Sequence, residues 1–372
     1  MDSAIIEKVE VIPLKMPLPR VFKGSHYYMD SRCTIVTRLH TSAGIIGECY
    51  NGDTLEEQEA IVKLIREEVV PLVTGKDASR PERCWEAMLD PTYNILGDRK
   101  LAMQAIACVD SAIWDVFGKL LNEPLYRVWG GYRDKLRVIA IAGYYEEDKT
   151  LDDYGTEMQD LQALGFGGCK FKVGGRSPEE DAKRVHAARE AVGKEFKLAV
   201  DANQGWSLWD AVKFGRLVAD LDLMWFEEPC RWFNDKRDMA EVRRMTAIPV
   251  AAGQSEFAGS MARELMIEGA VDYLNFDASW SGGATEWRRI AAVAKSLGVT
   301  VGHHEEPQVS AHLLASLPNG GLLETFHPER DPMFYEIIEN RNAFVDGFYD
   351  VPQGPGWGLS LNEGFIDKYR VE

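Results

Sequence analysis

Lys170 and Lys172 stand two residues apart, and beyond them polar or ionisable side chains recur at Asp201, Glu227, Gln254, Asp277, His304 and Glu324. The steps from Lys172 are 29, 26, 27, 23, 27 and 20 residues, about the length of one strand-plus-helix unit each. Each residue falls at the carboxyl end of a short apolar run, where such units would bring them to one mouth. Asp201, Glu227 and, two residues beyond Gln254, Glu256 are acids from three successive runs. That is an oxygen-rich set suited to a hard divalent cation, and with no Cys or His cluster there magnesium is expected rather than zinc. Lys170 and Lys172 project from one strand face, the interior face in a barrel. Two ammonium groups beside a cation are expected to have depressed pKa values, which suits a lysine to act as a base. Asp277 and His304 end adjacent runs, so the carboxylate can hold one imidazole nitrogen and turn the other to the barrel axis. His303 points the opposite way if its strand continues, and His312 on the next helix reads as a satisfied structural residue.

The elements that must position these residues are legible as eight short apolar runs alternating with helical stretches. The runs are 137–142, 169–173, 198–201, 224–228, 249–252, 273–277, 299–303 and 322–325, and amphipathic stretches such as 177–192 and 285–297 lie between them. Strand then helix, eight times over roughly 250 residues, is a (β/α)8 barrel with its site at the carboxyl ends of the strands. A doubly wound sheet is disfavoured because Gly165-Phe-Gly-Gly168 precedes a strand, whereas a dinucleotide fingerprint follows one. The first 130 residues differ. Val9–Leu14, Thr34–Leu39 and Ile45–Glu48 read as an antiparallel meander with a turn at Thr41–Gly44, followed by helices over 55–69 and 100–121. The fold class is therefore α/β: a modified TIM-type barrel over 131–349 with an N-terminal α+β capping domain over 1–130. The turn-rich tail, 350–372, returns to that cap.

A chain of 372 residues with 45% apolar and 27% charged residues has material for a large core. Its net charge of −17 repels nucleic-acid phosphates and anionic membranes, so neither is an expected partner. The six cysteines are scattered without zinc or disulfide spacing. The amino terminus lacks the order of a signal peptide, and no apolar run approaches the ~20 residues that span a bilayer. A cytoplasmic protein is expected.

With these residues in place the chain resembles the enolase superfamily and, within it, the mandelate racemase subgroup. The resemblance rests on Gly44-Ile-Ile-Gly-Glu48, Ala107-Cys-Val-Asp-Ser-Ala-Ile-Trp-Asp115 with Gly130-Gly131, Lys170-Phe-Lys172, Asp201-Ala-Asn-Gln-Gly-Trp206, Phe226-Glu-Glu-Pro229, Asp277 before Gly282-Gly283, His304 with Ser310-Ala-His312, and Glu324. It covers almost the whole length. The resemblance implies one Mg2+ per subunit held by Asp201 and Glu227, a Lys172 base on one face of the substrate and a His304–Asp277 dyad on the other. Lys170 would neutralise the substrate carboxylate, and Glu324 would hydrogen-bond the developing enediolate. A homo-oligomer, from dimer to octamer, is also expected. One position departs: Gly253-Gln254-Ser-Glu256 stands where the pattern has an acid directly after a glycine. Gln254 then fills the expected place with an amide oxygen, or Glu256 supplies the charge as a ligand or a neighbour of one.

The expected reaction is Mg2+-dependent removal of a proton alpha to a carboxylate, leading to dehydration of a sugar acid, aldonate or aldarate, to a 2-keto-3-deoxy acid. A small carboxylate is thus the expected partner. Racemisation or epimerisation of a 2-hydroxy acid is the alternative, and a barrel that has lost catalysis and only binds is a third reading. Cycloisomerisation of an unsaturated diacid is a weaker fourth, since Asp277 stands where a lysine would be sought. The cap loops Val21–Tyr28 and Cys49–Asp53 are placed to choose the substrate. Lys23, His26, Tyr27 and Tyr50 from those loops, with Asn203 and His303 from the barrel, are the candidate contacts, and Glu305 and Glu306 add polar groups nearby.

Overall fold

The computed structural model describes residues 3–52 and 56–371. The cap begins as a three-stranded antiparallel sheet of β1 (Ile6–Lys23), β2 (Tyr28–Thr41) and β3 (Ile46–Asn51). Both long strands outrun the expected segments. Pro13, Pro17 and Pro19 are tolerated because β1 is an edge strand, where an N–H facing away from the ladder can be missing, and the register shifts between Pro17 and Phe22. Helical turns follow over 58–73; Asp53 and Leu55, placed in a loop and a helix start by the sequence, lie outside the described residues.

The helix Arg99–Leu121 opens on Asp98, whose carboxylate accepts from the amides of Lys100 and Leu101, and closes on Asn122 in the left-handed conformation. It is long and apolar enough to cross a bilayer, contrary to the expectation that no stretch is, yet most of it is buried inside the protein. The helix lies between the cap sheet and the barrel and ties the two together. Trp114 Nε1 donates to Thr285 Oγ1 at 2.8 Å, and Asp110 accepts from the Thr285 hydroxyl at 2.7 Å.

The barrel strands are β4 (Lys135–Ala142), β5 (Gly168–Lys172), β6 (Lys197–Asp201), β7 (Phe226–Glu227), β8 (Val250–Ala252), β9 (Tyr273–Asn275), β10 (Thr300–Gly302) and β11 (Leu323–Thr325). All eight expected runs are strands. β4 to β10 are consecutive parallel neighbours, and β11 pairs with β4. A bridge between Val301 and Gly320 joins the two ends of the ring. The outer strand faces pack on the helices in one large apolar core, while Ile139, Ala199, Trp225, Ala251 and Tyr273 form a separate cluster. Trp225 and Tyr273 stack with centroids 4.6 Å apart. The approach is close: a Cβ on Gly302 or Gly321 would come within 2.3 Å of Tyr273, so both positions require glycine.

After the barrel, β12 (Phe344–Val345) and β13 (Phe348–Asp350) form a hairpin, and β13 pairs antiparallel with β4. The tail then reaches the cap. The Trp357 amide donates to Asp115 at 2.9 Å, and the Val371 amide donates to the Pro13 carbonyl at 3.0 Å. All six cysteines are buried and free.

Candidate active site

Strand register begins the site. Lys172 on β5 lies opposite Asp201 on β6, and Asp201 opposite Glu227 on β7. Lys172 Nζ donates to Asp201 Oδ2 at 2.7 Å and to Asn203 Oδ1 at 3.0 Å. Lys170 Nζ donates to Glu227 Oε1 at 3.0 Å and Glu324 Oε2 at 2.8 Å, and lies 3.8 Å from Asp201. Both lysines and all three acids are buried. Three neighbours were not foreseen. Asn275 donates to Glu227 at 2.9 Å and Glu324 at 3.4 Å, and Trp225 Nε1 donates to Glu227 Oε2 at 2.9 Å. The third, Tyr144, carries its ring 5.7 Å from Lys172 Nζ. Alternation from Asp277 back to Asn275, two residues earlier on the same strand face, would have pointed to the first.

The depression expected of the lysine pKa values beside a bound cation does not extend to the site without one. Burial pulls both down, but Glu227, Glu324 and Asp201 around Lys170, and Asp201 above all around Lys172, hold them above the ordinary value. Carboxylates outweigh the mutual repulsion of the two ammoniums. Burial, opposed by Lys170 and reinforced by Glu227, pushes Glu324 up to about 7, so its carboxyl can donate a hydrogen bond near neutral pH.

Gln254 and Glu256 separate. β8 ends at Ala252, Gly253 adopts φ +135°, and the Glu256 amide turns back to the Gly253 carbonyl at 3.1 Å, so strand alternation does not carry Glu256 to the mouth. It lines a small cavity with Gln204, Glu228 and Asp235, and its buried Oε2, like the Gln254 amide oxygen, has no hydrogen-bond partner. Gln254 Nε2 donates to Glu228 Oε2 at 3.3 Å, while its buried Oε1 has no hydrogen-bond partner. Burial, with the charges of Asp201 and Glu227, pushes Glu228 up to about 8.

The orphaned Gln254 amide oxygen just past β8, with the buried carboxylates Asp201 and Glu227 at the ends of the two preceding strands, is an oxygen donor set of the kind a hard divalent cation takes. Gln254→Glu is therefore expected to bind Mg2+ about tenfold more tightly, since affinity follows the charge of the ligands. Calorimetric titration of metal-stripped protein checks this, and unchanged affinity would remove position 254 from the metal site.

Across the barrel, His304 Nδ1 lies 3.1 Å from Asp277 Oδ2, and Asp277 Oδ1 accepts from the Ser279 amide at 2.7 Å. β9 and β10 stop at Asn275 and Gly302, so the dyad stands just past the strands. Burial first, then Lys170 and Lys172, holds His304 well below its ordinary pKa. His303 is not a ligand contact: the Ala278 amide donates to its Nε2 at 3.0 Å, and Ser310 Oγ meets its Nδ1 at 2.8 Å.

His303 and His312 are both pushed down to about 4 by burial. At these two sites the unfolded chain therefore binds more protons than the native one between pH 4 and 6.5, and their contribution to stability falls as pH drops through that window. A loss on the order of 2 kcal/mol per histidine by pH 5 is expected. Because Glu324 and Glu228 are shifted the other way and gain stability over the same range, the difference between wild type and His312→Gln in urea at pH 7, 6 and 5 isolates it; a difference that does not change with pH would contradict neutral burial.

Of the cap candidates, Tyr27 lies half-buried with its ring 5.8 Å from Lys172 Nζ. Lys23 and His26 stay on the exposed rim, His26 against the Gly205 carbonyl at 3.4 Å. Tyr50 is corrected: it is buried where the cap meets the barrel, packs on Phe334 and donates to Gln308 at 2.8 Å. Asn203 sits in the site, bonded to both Lys172 and Asp201. A wide cleft elsewhere is lined by Arg20, Lys149 and Arg330 and by a larger number of acids, and Arg20 and Arg330 lie 2.7 and 2.9 Å from Glu146.

Known proteins share this arrangement. Residues 8–130 match the family model of the mandelate racemase / muconate lactonizing enzyme N-terminal domain, and residues 153–365 match the enolase C-terminal domain-like model. An arabinonate dehydratase of Saccharolobus solfataricus is 32% identical, covering 91% of each chain. A D-galactarolactone cycloisomerase of Agrobacterium fabrum is 28% identical over 96% of this chain and 97% of its own. A mandelate racemase/muconate lactonizing enzyme from a marine actinobacterium, solved in complex with magnesium, superposes with a TM-score of 0.93 at 49% identity, covering 99% of this chain and 100% of that one. Two bases across a barrel mouth, a buried carboxylate pair and a matching cap thus identify the chain as a member of the mandelate racemase/muconate lactonizing enzyme family, an enzyme of the enolase superfamily.

Proposed function

We propose that this enzyme dehydrates a sugar acid to a 2-keto-3-deoxy acid. The observation that carries the reading is the pair of acid–base groups, Lys172 on β5 and the His304–Asp277 dyad beyond β10 and β9, on separate sides of one buried mouth. The carbon beside a carboxylate is a weak acid because the second negative charge accumulates on oxygens already charged. Asp201 and Glu227, with the Gln254 amide oxygen, would hold Mg2+, which when bound supplies positive charge to those oxygens and competes with the lysines for Asp201 and Glu227.

Lys170 adds a fixed cation for the substrate carboxylate, and protonated Glu324 donates to the enediolate oxygen. Lys172 takes the α-proton. His304 is neutral in the resting site; the negative charge of the bound substrate, added to that of Asp277, favours its protonated form, and the imidazolium gives its proton to the β-hydroxyl as the C–O bond breaks, leaving an enol that becomes the 2-keto acid. The arabinonate dehydratase among its relatives supports this direction. The second reading is epimerisation, which the same two bases perform if no β-hydroxyl leaves and the carbon is reprotonated from the opposite side.

Purified protein with Mg2+, incubated with a library of mono- and diacid sugars, is expected to form 2-keto acid from at least one. Inversion without 2-keto acid would establish the epimerase. Silence in both that assay and α-proton exchange in deuterated water would favour a barrel that only binds.

A further inference from the structure

β9 and β10 last pair at Asn275 and Gly302, so Asp277 and His304 stand two residues beyond the last rung of the ladder that aligns their strands. Two side chains take the place of further rungs. Trp287, fully buried on the helix Gly283–Ser296, donates from Nε1 to the carbonyls of Phe276 at 3.0 Å and Gly302 at 3.1 Å, which ties the two segments just before the dyad. His303 ties them just after it.

The His303 imidazole is fully buried, and its contacts place its proton. The Ala278 amide can only donate, and it meets Nε2 at 3.0 Å, so Nε2 carries the lone pair and the neutral ring carries its proton on Nδ1. Nδ1 then donates to Ser310 Oγ at 2.8 Å, and the Ser310 hydroxyl in turn donates to the Glu305 carbonyl. Asp277 Oδ1 lies 3.9 Å from Nε2, out of hydrogen-bond reach. The relay thus runs from the peptide that follows Asp277 to the peptide that follows His304. Both ends are places where the backbone needs holding. Glu305 adopts φ +53°, a left-handed conformation that a non-glycine residue keeps only where its surroundings fix it. At the other end the Ser279 and Trp280 amides both go to Asp277 Oδ1, at 2.7 and 3.3 Å, so the carboxylate moves with the turn that His303 holds.

We infer that His303 is a positioning residue: through Ser310 it fixes the segment carrying Asp277 against the segment carrying His304, and so keeps the His304 ring on that carboxylate through Nδ1. This role rests on the dehydratase reading above only in what His304 does with its proton. Where the ring stands is measurable without substrate.

Spectra of the Mg2+-loaded protein labelled with 15N-histidine test it, since the chain has seven histidines and the ring nitrogens report where each proton sits. The wild type is expected to carry the proton on Nδ1 in His303 and His304. In His312, whose Nδ1 accepts from the Tyr126 amide at 3.2 Å, it belongs on Nε2. His303→Phe keeps an aromatic ring without the relay, and Ser310→Ala removes one oxygen from it and decides the matter where His303→Phe does not fold. In each, the His304 Nδ1 proton should exchange with water about tenfold faster, the effect of one lost hydrogen bond, with the His312 signals unmoved. For the sugar acid that the library identifies, kcat for 2-keto acid should fall about 100-fold in His303→Phe, as a misplacement of about 1 Å can cause. KM and α-proton exchange should stay as they were.

A wild-type His303 protonated on Nε2 overturns the inference. So do His304 signals unmoved in both variants while only the melting temperature falls, or α-proton exchange that falls in step with dehydration; each leaves the dehydratase reading standing. Displaced His304 signals in variants of a protein that forms no 2-keto acid uphold the positioning role and overturn the dehydratase.

Discussion

His304→Asn is expected to lower kcat for 2-keto acid formation by about 10³-fold, within the range that positioned acid–base groups contribute, while exchange of the substrate α-proton with deuterated water continues. Asparagine keeps a polar group within reach of Asp277, whose other oxygen remains anchored by the Ser279 and Trp280 amides. The mouth therefore keeps its shape and loses only the proton donor. Lys172 still removes the α-proton and returns it, so carbanion chemistry is separated from departure of the hydroxyl. Full dehydration in the variant would take His304 out of the mechanism. Loss of exchange as well would make His304 the group that attacks the α-carbon proton.

Lys172→Met is expected to abolish both exchange and dehydration, again with a fall of about 10³ or more. Methionine replaces the aliphatic stem but removes the ammonium that donates to Asp201 and Asn203. Asp201 is fully buried and keeps hydrogen bonds from the Asn203 amide and side chain, with Lys170 3.8 Å away. Removing one partner of a buried pair commonly costs 3–5 kcal/mol, so a lowered melting temperature should accompany the loss, and Mg2+ should restore part of it by supplying the missing positive charge. Comparison at a temperature where both proteins are folded separates the chemical effect from the structural one. Exchange that survives in Lys172→Met but not in His304→Asn would reverse the two roles.

Much of this site was legible before any coordinates because barrel geometry converts sequence spacing into convergence. Lys172, Asp201, Glu227, Asp277, His304 and Glu324 recur at one unit per step, and the fold places strand ends around one mouth. Alternation within a strand likewise identified Lys170 with Lys172, and the same rule would have found Asn275. The rule fails where the strand ends. Glu256 lies beyond Gly253, where the chain has already turned, so its two-residue spacing from Gln254 no longer means a shared face.

What the sequence determined by itself was therefore local and periodic: eight strands, an α+β cap, and which ionisable groups each strand delivers. Only the tertiary structure decided the rest. Tyr50 reads as part of a ligand-contacting loop, yet it belongs to β3, and packing against Phe334 buries it where cap and barrel meet. Lys170 and Lys172 read as mutually depressed bases, yet three carboxylates from other strands hold them charged. Arg32, more than 270 residues from Glu305 along the chain, pairs with it only because the cap folds over the barrel. Burial and electrostatic coupling depend on distances between segments remote in sequence, and no spacing along the chain encodes those distances.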